Sequence, residues 1–274
     1  MSGPRLDAVA AAEAIVSAVE EGRAAVAVTM LEAPAERLLF TRVGDGVRRQ
    51  GSSGDDALDR KLEDLARGIL DGSRPEGRAE VGGRSAYLEL HQPRPELVIV
   101  GAGHIAQPLA EVGTLLGFRV VVADDRPEFA SSERFPTAAR VVAVDFSDPF
   151  STIPLGPYSH LVLVTRGHKY DYECLRRLLT SEVRPRYVGM IGSRRRVRAT
   201  YRQLLDEGIP RERLAEVRAP VGLDLGAETP GEIAVAVAAE MVLEWRGGTG
   251  SPLHRAERVL ERFFREDGEG ELEP

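Results

Sequence analysis

The chain has 274 residues, 43% of them hydrophobic and 29% charged, which is enough for one large or two modest domains with a sizeable core. Its net charge of -7 argues against a general nucleic-acid binder, and the single cysteine, Cys174, excludes an internal disulfide or a cysteine-rich metal cage. No apolar run is long enough to span a bilayer, and Met1 to Asp7 lacks the basic start and apolar block of a signal peptide, so the expected setting is the cytoplasm.

In chain order, residues 5–22 carry helical apolar spacing through Leu6, Val9, Ile15, Val16 and Val19, with Gly22 as the stop. Short strands are predicted over 24–30, 37–41 and 47–49, the last two joined by a hairpin at Gly44-Asp45-Gly46. A second helix is expected from Asp55 to Leu70, then strands over 77–81 and 84–90 around Gly82-Gly83. This makes a small α+β domain over residues 1–92. His91-Gln92-Pro93-Arg94-Pro95 reads as a linker, because proline stops helix and ladder alike.

The pattern then changes. Leu97 to Val100 is a continuous β-branched run, as expected of a strand buried on both faces, and runs over 119–123, 140–144, 161–164 and 187–191 repeat it. The alternation predicts an α/β fold over residues 93–246, a Rossmann-like doubly wound parallel sheet in order 3-2-1-4-5. Residues 247–274 read as a polar, acidic, peripheral tail with one helical stretch near Leu253 to Phe264.

Four segments carry candidate chemistry. Gly101-Ala102-Gly103-His104-Ile105-Ala106 follows a strand and opens a helix, the context of a glycine-rich pyrophosphate turn. Asp124 and Asp125, at the end of the next strand, stand where an acid accepts from a ribose hydroxyl. Thr165, Arg166, Gly167, His168 and Lys169 end the fourth strand and offer donors to an anion; a capping role for Asp171 is the plainer alternative there.

Gly192, Ser193, Arg194 and Arg195 form a second strand–glycine–helix junction, with Ser193 as N-cap and Val197, Tyr201, Leu204 and Leu205 as the apolar stripe. Seven arginines and no acid lie between Arg184 and Arg202, a solvated face or an anion or partner surface. Thr229, Pro230 and Glu232 spell a full capping box before a helix of small apolar residues expected to be deeply buried, and the preceding loop with Asp224 and Glu228 is placed to close over the ligand. The five histidines show no metal-binding spacing, and Cys174 reads as core packing.

Five ordered segments resemble the XdhC/CoxI family: Gly101 to Ala106, Val122 to Phe129, Thr165 to Asp171, Tyr187 to Arg195 and Gly222 to Ile233. Gly51 to Asp59 is similar to that family's Gly-Ser-x-Gly segment, whereas its upstream Gly-Ser-x-Pro-Arg stretch has no counterpart between Val28 and Leu39. The resemblance implies a maturation factor and not an enzyme in its own right. It implies a carrier of molybdenum cofactor, as molybdopterin or its nucleotide form. The partners it implies are a molybdenum hydroxylase client of the xanthine or carbon monoxide dehydrogenase type and a sulfurtransferase, with a homodimer as one assembly. From the residues alone two other readings stay open. One is an NAD-dependent oxidoreductase with NAD as cofactor, which lacks a substrate domain and a nameable acid–base pair. The other is a protein-interaction module on a vestigial nucleotide fold.

Overall fold

The structure, a computed structural model, is described over residues 6–32 and 34–254. Most of the helical stretch expected near Leu253 to Phe264 therefore lies outside the described residues. The chain divides into two units, Met1–Arg94 and Pro95–Pro274.

The first unit runs α1 (Ala8–Glu20), β1 (Ala25–Met30), β2 (Arg37–Val43), β3 (Gly46–Gly51), α2 (Asp56–Leu70), β4 (Gly77–Val81) and β5 (Arg84–His91). Its five strands form one antiparallel sheet in the order β3-β2-β1-β5-β4. Asp7 caps α1 by accepting from the Ala10 amide at 2.8 Å, and the helix lays Ala14, Ile15 and Ala18 on Ala25, Ala27 and Leu39. Two expectations shift here. Val43 pairs directly with Gly46, so the hairpin turn is the two residues Gly44-Asp45, with Gly44 at φ +57°. His91 pairs with Ala25 as the last rung of β5, so it belongs to the sheet and not to the linker.

The Gly51–Asp59 segment is self-contained. Asp59 is fully buried at the start of α2 and accepts from Ser52 Oγ at 2.7 Å, Ser53 N at 2.9 Å and Ser53 Oγ at 2.6 Å, with Arg49 Nη1 at 3.1 Å. Burial raises its carboxyl, but these serine bonds and the Arg49 charge outweigh it and hold the group below its ordinary range.

The second unit runs β6 (Glu96–Val100), α3 (Ala106–Leu115), β7 (Arg119–Asp124), β8 (Arg140–Ala143), a 3-10 turn at Pro149–Ser151, β9 (Ser159–Leu163), α4 (His168–Thr180), β10 (Tyr187–Met190), α5 (Arg194–Asp206), α6 (Arg211–Ala215) and α7 (Pro230–Arg246). All five strands are parallel, in the order β10-β9-β6-β7-β8, which is the 3-2-1-4-5 order read from the sequence. Alternate strand residues face opposite layers. Leu97, Ile99, Val120, Val122 and Val162 pack with Leu109 of α3 and Val237 of α7. Val98, Val100, Val121, Leu161 and Leu163 pack with Cys174 and Leu175 of α4 and Leu204 of α5. Cys174 is wholly buried, and burial pushes its thiol up, so it is a core residue.

At the amino edge of this sheet His160 is buried in an aromatic shell, edge-on to Phe118 at 4.9 Å and stacked on Tyr187 at 6.1 Å. Desolvation lowers it to about 4 from 6.5, so the folded state holds the imidazole neutral while the unfolded chain protonates it. The linked stability is complete above 6.5 and is lost as pH falls from there toward 4. Unfolding free energy should therefore drop by up to about 3 kcal/mol over that window. In His160→Phe, urea titrations across the same pH range should show that limb flattened; an unchanged limb would assign it to other groups.

Candidate functional site

Because every strand of the second unit is parallel, the loops after β6, β7, β9 and β10 emerge at one edge. That is where open α/β sheets bind ligands. This geometry brings together Gly101–Ala106, Asp124–Asp125, Thr165–His168 and Gly192–Arg195.

The glycine turn is built by two different constraints. Gly101 has φ +108°, and a β-carbon there would stand 2.5 Å from the Val164 carbonyl oxygen, so the residue is fixed by the neighbouring β9 loop. Gly103 is the opposite case. Nothing lies within 4 Å of where its β-carbon would be, so that side of the loop faces open space. The amides of Gly103, His104 and Ile105 have no partner among the described residues, and α3 has no side-chain cap. Free N–H groups, an open approach and the positive end of a helix make an anion cradle. His104 is exposed beside it, Ile105 is half-buried and Ala106 is buried against the sheet.

Asp124 does not face that cradle. It is buried at the end of β7, where Oδ2 accepts from the Ala102 amide at 2.7 Å and Oδ1 from the Arg126 amide at 3.0 Å and Arg126 Nε at 2.9 Å. Burial raises its carboxyl, and the Arg126 and backbone bonds more than offset this, leaving it below its ordinary range. The expected ribose acceptor is thus a buttress of the glycine loop. Asp125 is also engaged: it forms a bidentate pair with Arg166, one arm at 2.7 Å, and Arg166 lies 4.1 Å over the Tyr170 ring. Arg166, read as an anion donor, is instead a clasp between the β7 and β9 loops, and Asp125 holds its guanidinium well above its ordinary range.

Thr165 belongs to a buried network. Its hydroxyl donates to Asp171 at 2.6 Å, and Arg196 donates from Nε to Asp171 at 2.6 Å and from Nη2 to the Thr165 carbonyl at 2.9 Å. Asp171 is therefore not the cap of α4. Gly167 occupies that position, and Asp171 sits fully buried in the first turn, paired with α5. His168 and Lys169 are exposed on the same turn.

Ser193 caps α5 as expected, accepting from the Arg196 amide at 3.3 Å. Among the described residues, exposed Arg194 and Arg195 have no ion pair and the amides of Gly192 and Ser193 have no partner. The Thr229 capping box is present in full. The loop before it does not close over Gly103. Asp224 is exposed, and Glu228 rims a groove with Pro108 and Glu111 on the outer flank of α3.

Sequence reasoning missed four residues. Arg196 carries the buried pair, though it reads as one of three consecutive arginines. Arg126 and Arg134 both lie over the Phe129 ring, at 3.5 and 4.5 Å from its centre, and Arg134 donates to the Ala102 carbonyl at 3.1 Å. The Arg134 Nε is buried with no partner among the described residues. The one signal for Arg126 and Phe129 was their place in the Asp-Asp-Arg-Pro-Glu-Phe run after β7.

A five-stranded parallel sheet with a glycine-rich turn after its central strand is a Rossmann-type domain. Residues 97–241 match the XdhC Rossmann domain, and the chain belongs to that family. It is 35% identical over 162 residues to YqeB of Escherichia coli K12, covering 59% of this chain and 29% of that one. It is 32% identical over 156 residues to a probable xanthine dehydrogenase component of Bacillus subtilis 168, covering 57% of this chain and 44% of that one. The crystal structure of a xanthine dehydrogenase from Bacillus halodurans shares the fold, with a TM-score of 0.63 at 22% identity over 89% of this chain and 66% of that one. The chain spans less than two thirds of the length of each of these relatives.

Asp124→Asn should loosen the glycine loop, because at least one of the donors aimed at the carboxylate then meets an amide N–H. We expect a loss of about 1–3 kcal/mol in unfolding free energy. The acid limb should change with it. A lowered carboxyl contributes stability that is complete above its ordinary value of 3.8 and is lost as pH falls through its folded value, so the variant should lose less on acidification than the native chain does. Equal acid sensitivity in both would remove Asp124 from this role.

Proposed function

We propose that this protein is a maturation factor for a molybdenum hydroxylase of the xanthine dehydrogenase type, and that it binds molybdenum cofactor at the carboxyl edge of the parallel sheet and delivers it to that client. The observation that carries the reading is the Gly103 cradle: open space above the loop, with three amides at the start of α3 that have no partner among the described residues. A phosphate or pyrophosphate is the chemistry this cradle suits. The cofactor, when bound, would bring such a phosphate together with its pterin and metal centre. The amides of Gly103, His104 and Ile105 would hold the phosphate, and exposed Arg194 and Arg195 stand at the same edge to meet further anionic charge. Family membership and the names of the Bacillus relatives favour the xanthine dehydrogenase connection. The NAD reading is weaker, because Asp124 commits its carboxylate to Ala102 and Arg126.

Protein purified from a host that makes molybdenum cofactor should yield a fluorescent pterin after acid oxidation; recovery of NAD in its place would favour the oxidoreductase. Gly103→Val should abolish that recovery with the fold intact, since its side chain enters the open cradle and not the core. Unchanged pterin content in the variant would sink the assignment.

The arginines of α5 should separate by role. Arg194→Ala or Arg195→Ala should weaken cofactor binding by about ten- to a hundred-fold with little change in melting temperature. Arg202→Ala, two turns on, should do much less, because helix-terminus effects fade beyond the first turn. Arg196→Ala should lower stability, because it strands Asp171 in the core. Equal binding losses from Arg194, Arg195 and Arg202 would instead mark a diffuse protein-docking face.

A further inference from the structure

The arginine-rich stretch from Arg184 to Arg202 divides between the two ends of β10. Arg194 and Arg195 follow the strand at the carboxyl edge, whereas Arg184 and Arg186 precede it at the amino edge, the opposite end of the sheet from the glycine cradle. There they line a pocket of about 320 Å³ together with Arg213 of α6 and Arg218. Arg218 arrives from farther along the chain because its segment covers the free edge of β10. Its amide donates to the Val188 carbonyl at 2.8 Å, and its carbonyl accepts from the Met190 amide at 2.9 Å.

Four guanidinium groups and one carboxylate, Glu216, thus share a small space. Two of the four are held. Arg213, with its side chain only 13% exposed, is paired with Glu216, and Arg218 meets Glu244 at 2.9 Å. The other two are exposed and have no ion pair among the described residues. Arg184 donates from Nη1 to two backbone carbonyls, Ser181 at 2.9 Å and Val183 at 3.1 Å, which leaves Nε and Nη2 to point elsewhere. The buried residues Leu179, Val188 and Val217 give the pocket an apolar floor. Like charges spread over a convex surface are each screened by water. Converging on a concavity they focus positive potential and raise the local concentration of an anion, here in a chain whose net charge is -7. Small-molecule sites run to roughly 300–1,000 Å³, so this pocket stands at the lower end and suits a compact ligand, not an extended chain.

We propose that this pocket is a second anion site, which takes a phosphate group, free or carried as a small phosphomonoester, with Arg184 and Arg186 as its donors and Arg213 and Arg218 as fixed charges beside them. Guanidinium forks match carboxylate and phosphate alike. The excess of cations over carboxylates favours the group that carries about two negative charges at neutral pH. The apolar floor gives the organic part of an ester a place to lie. The site shares no residue with the glycine loop and stands apart from the identity of the ligand there.

Calorimetric titration of phenyl phosphate and of inorganic phosphate into the full chain carrying Gly103→Val tests this with the cradle closed. Binding at one site should remain. Arg184→Ala or Arg186→Ala, both at exposed positions, should weaken it by about tenfold or more with the melting temperature unchanged. The double variant should abolish it. Arg202→Ala, which removes the same charge outside the pocket, should leave it as it was. Tighter binding of phenyl phosphate would assign an ester and equal affinities a free phosphate; both support the site. Absence of binding would overturn the proposal. So would affinity indifferent to Arg184 and Arg186, or benzoate binding as tightly as phenyl phosphate. The dependence on Arg184 and Arg186 reads the same way whether or not the glycine loop binds a cofactor.

Discussion

A single buried carboxylate organises the carboxyl edge of the parallel sheet. Asp124 ends β7, accepts from the backbone of Ala102 in the glycine loop and grips Arg126 on its own far side. The central strand's loop, the adjacent strand and the segment that follows it are thereby locked to one charged group. A buried carboxylate of this kind is tolerable only because each oxygen finds a donor. Its use as a buttress leaves the opposite side of the loop, at Gly103, free of protein contacts. The loop is thus held rigid on one side and open on the other.

The same division recurs across the edge. Thr165, Asp171 and Arg196 form a second buried polar network joining the β9 loop, α4 and α5, and Asp125 with Arg166 clasps the β7 and β9 loops at the surface. The charges nearest the sheet are therefore used in the architecture. Arg194 and Arg195, without an ion pair among the described residues, lie outermost, where they cost little to keep solvated and can meet an anion or an acidic protein surface.

Two surfaces of the second unit thus have opposite character. The carboxyl edge is donor-rich, whereas the outer groove of α3 and α7 is apolar with an acidic rim.

The sequence by itself determined the architecture. Apolar runs separated by helical patterns pointed to a parallel sheet, because a strand buried on both faces needs apolar residues at every position, and the 3-2-1-4-5 order followed as the common doubly wound arrangement; β8, at the edge of the sheet, is only partly buried. The glycine turn, the Ser193 and Thr229 caps and the core role of Cys174 were equally legible, since each depends on neighbours within a few residues. Only the tertiary structure decided which charged residues work inside and which outside. Asp124 and Asp171 bond to partners on other elements, 22 and 25 residues away, at Ala102 and Arg196. Nothing in the run Arg194-Arg195-Arg196 marks the third as the one that turns inward. A helix commits its side chains by angle around its axis, and the direction of the core is set by the sheet it packs on, not by the residues of the helix alone.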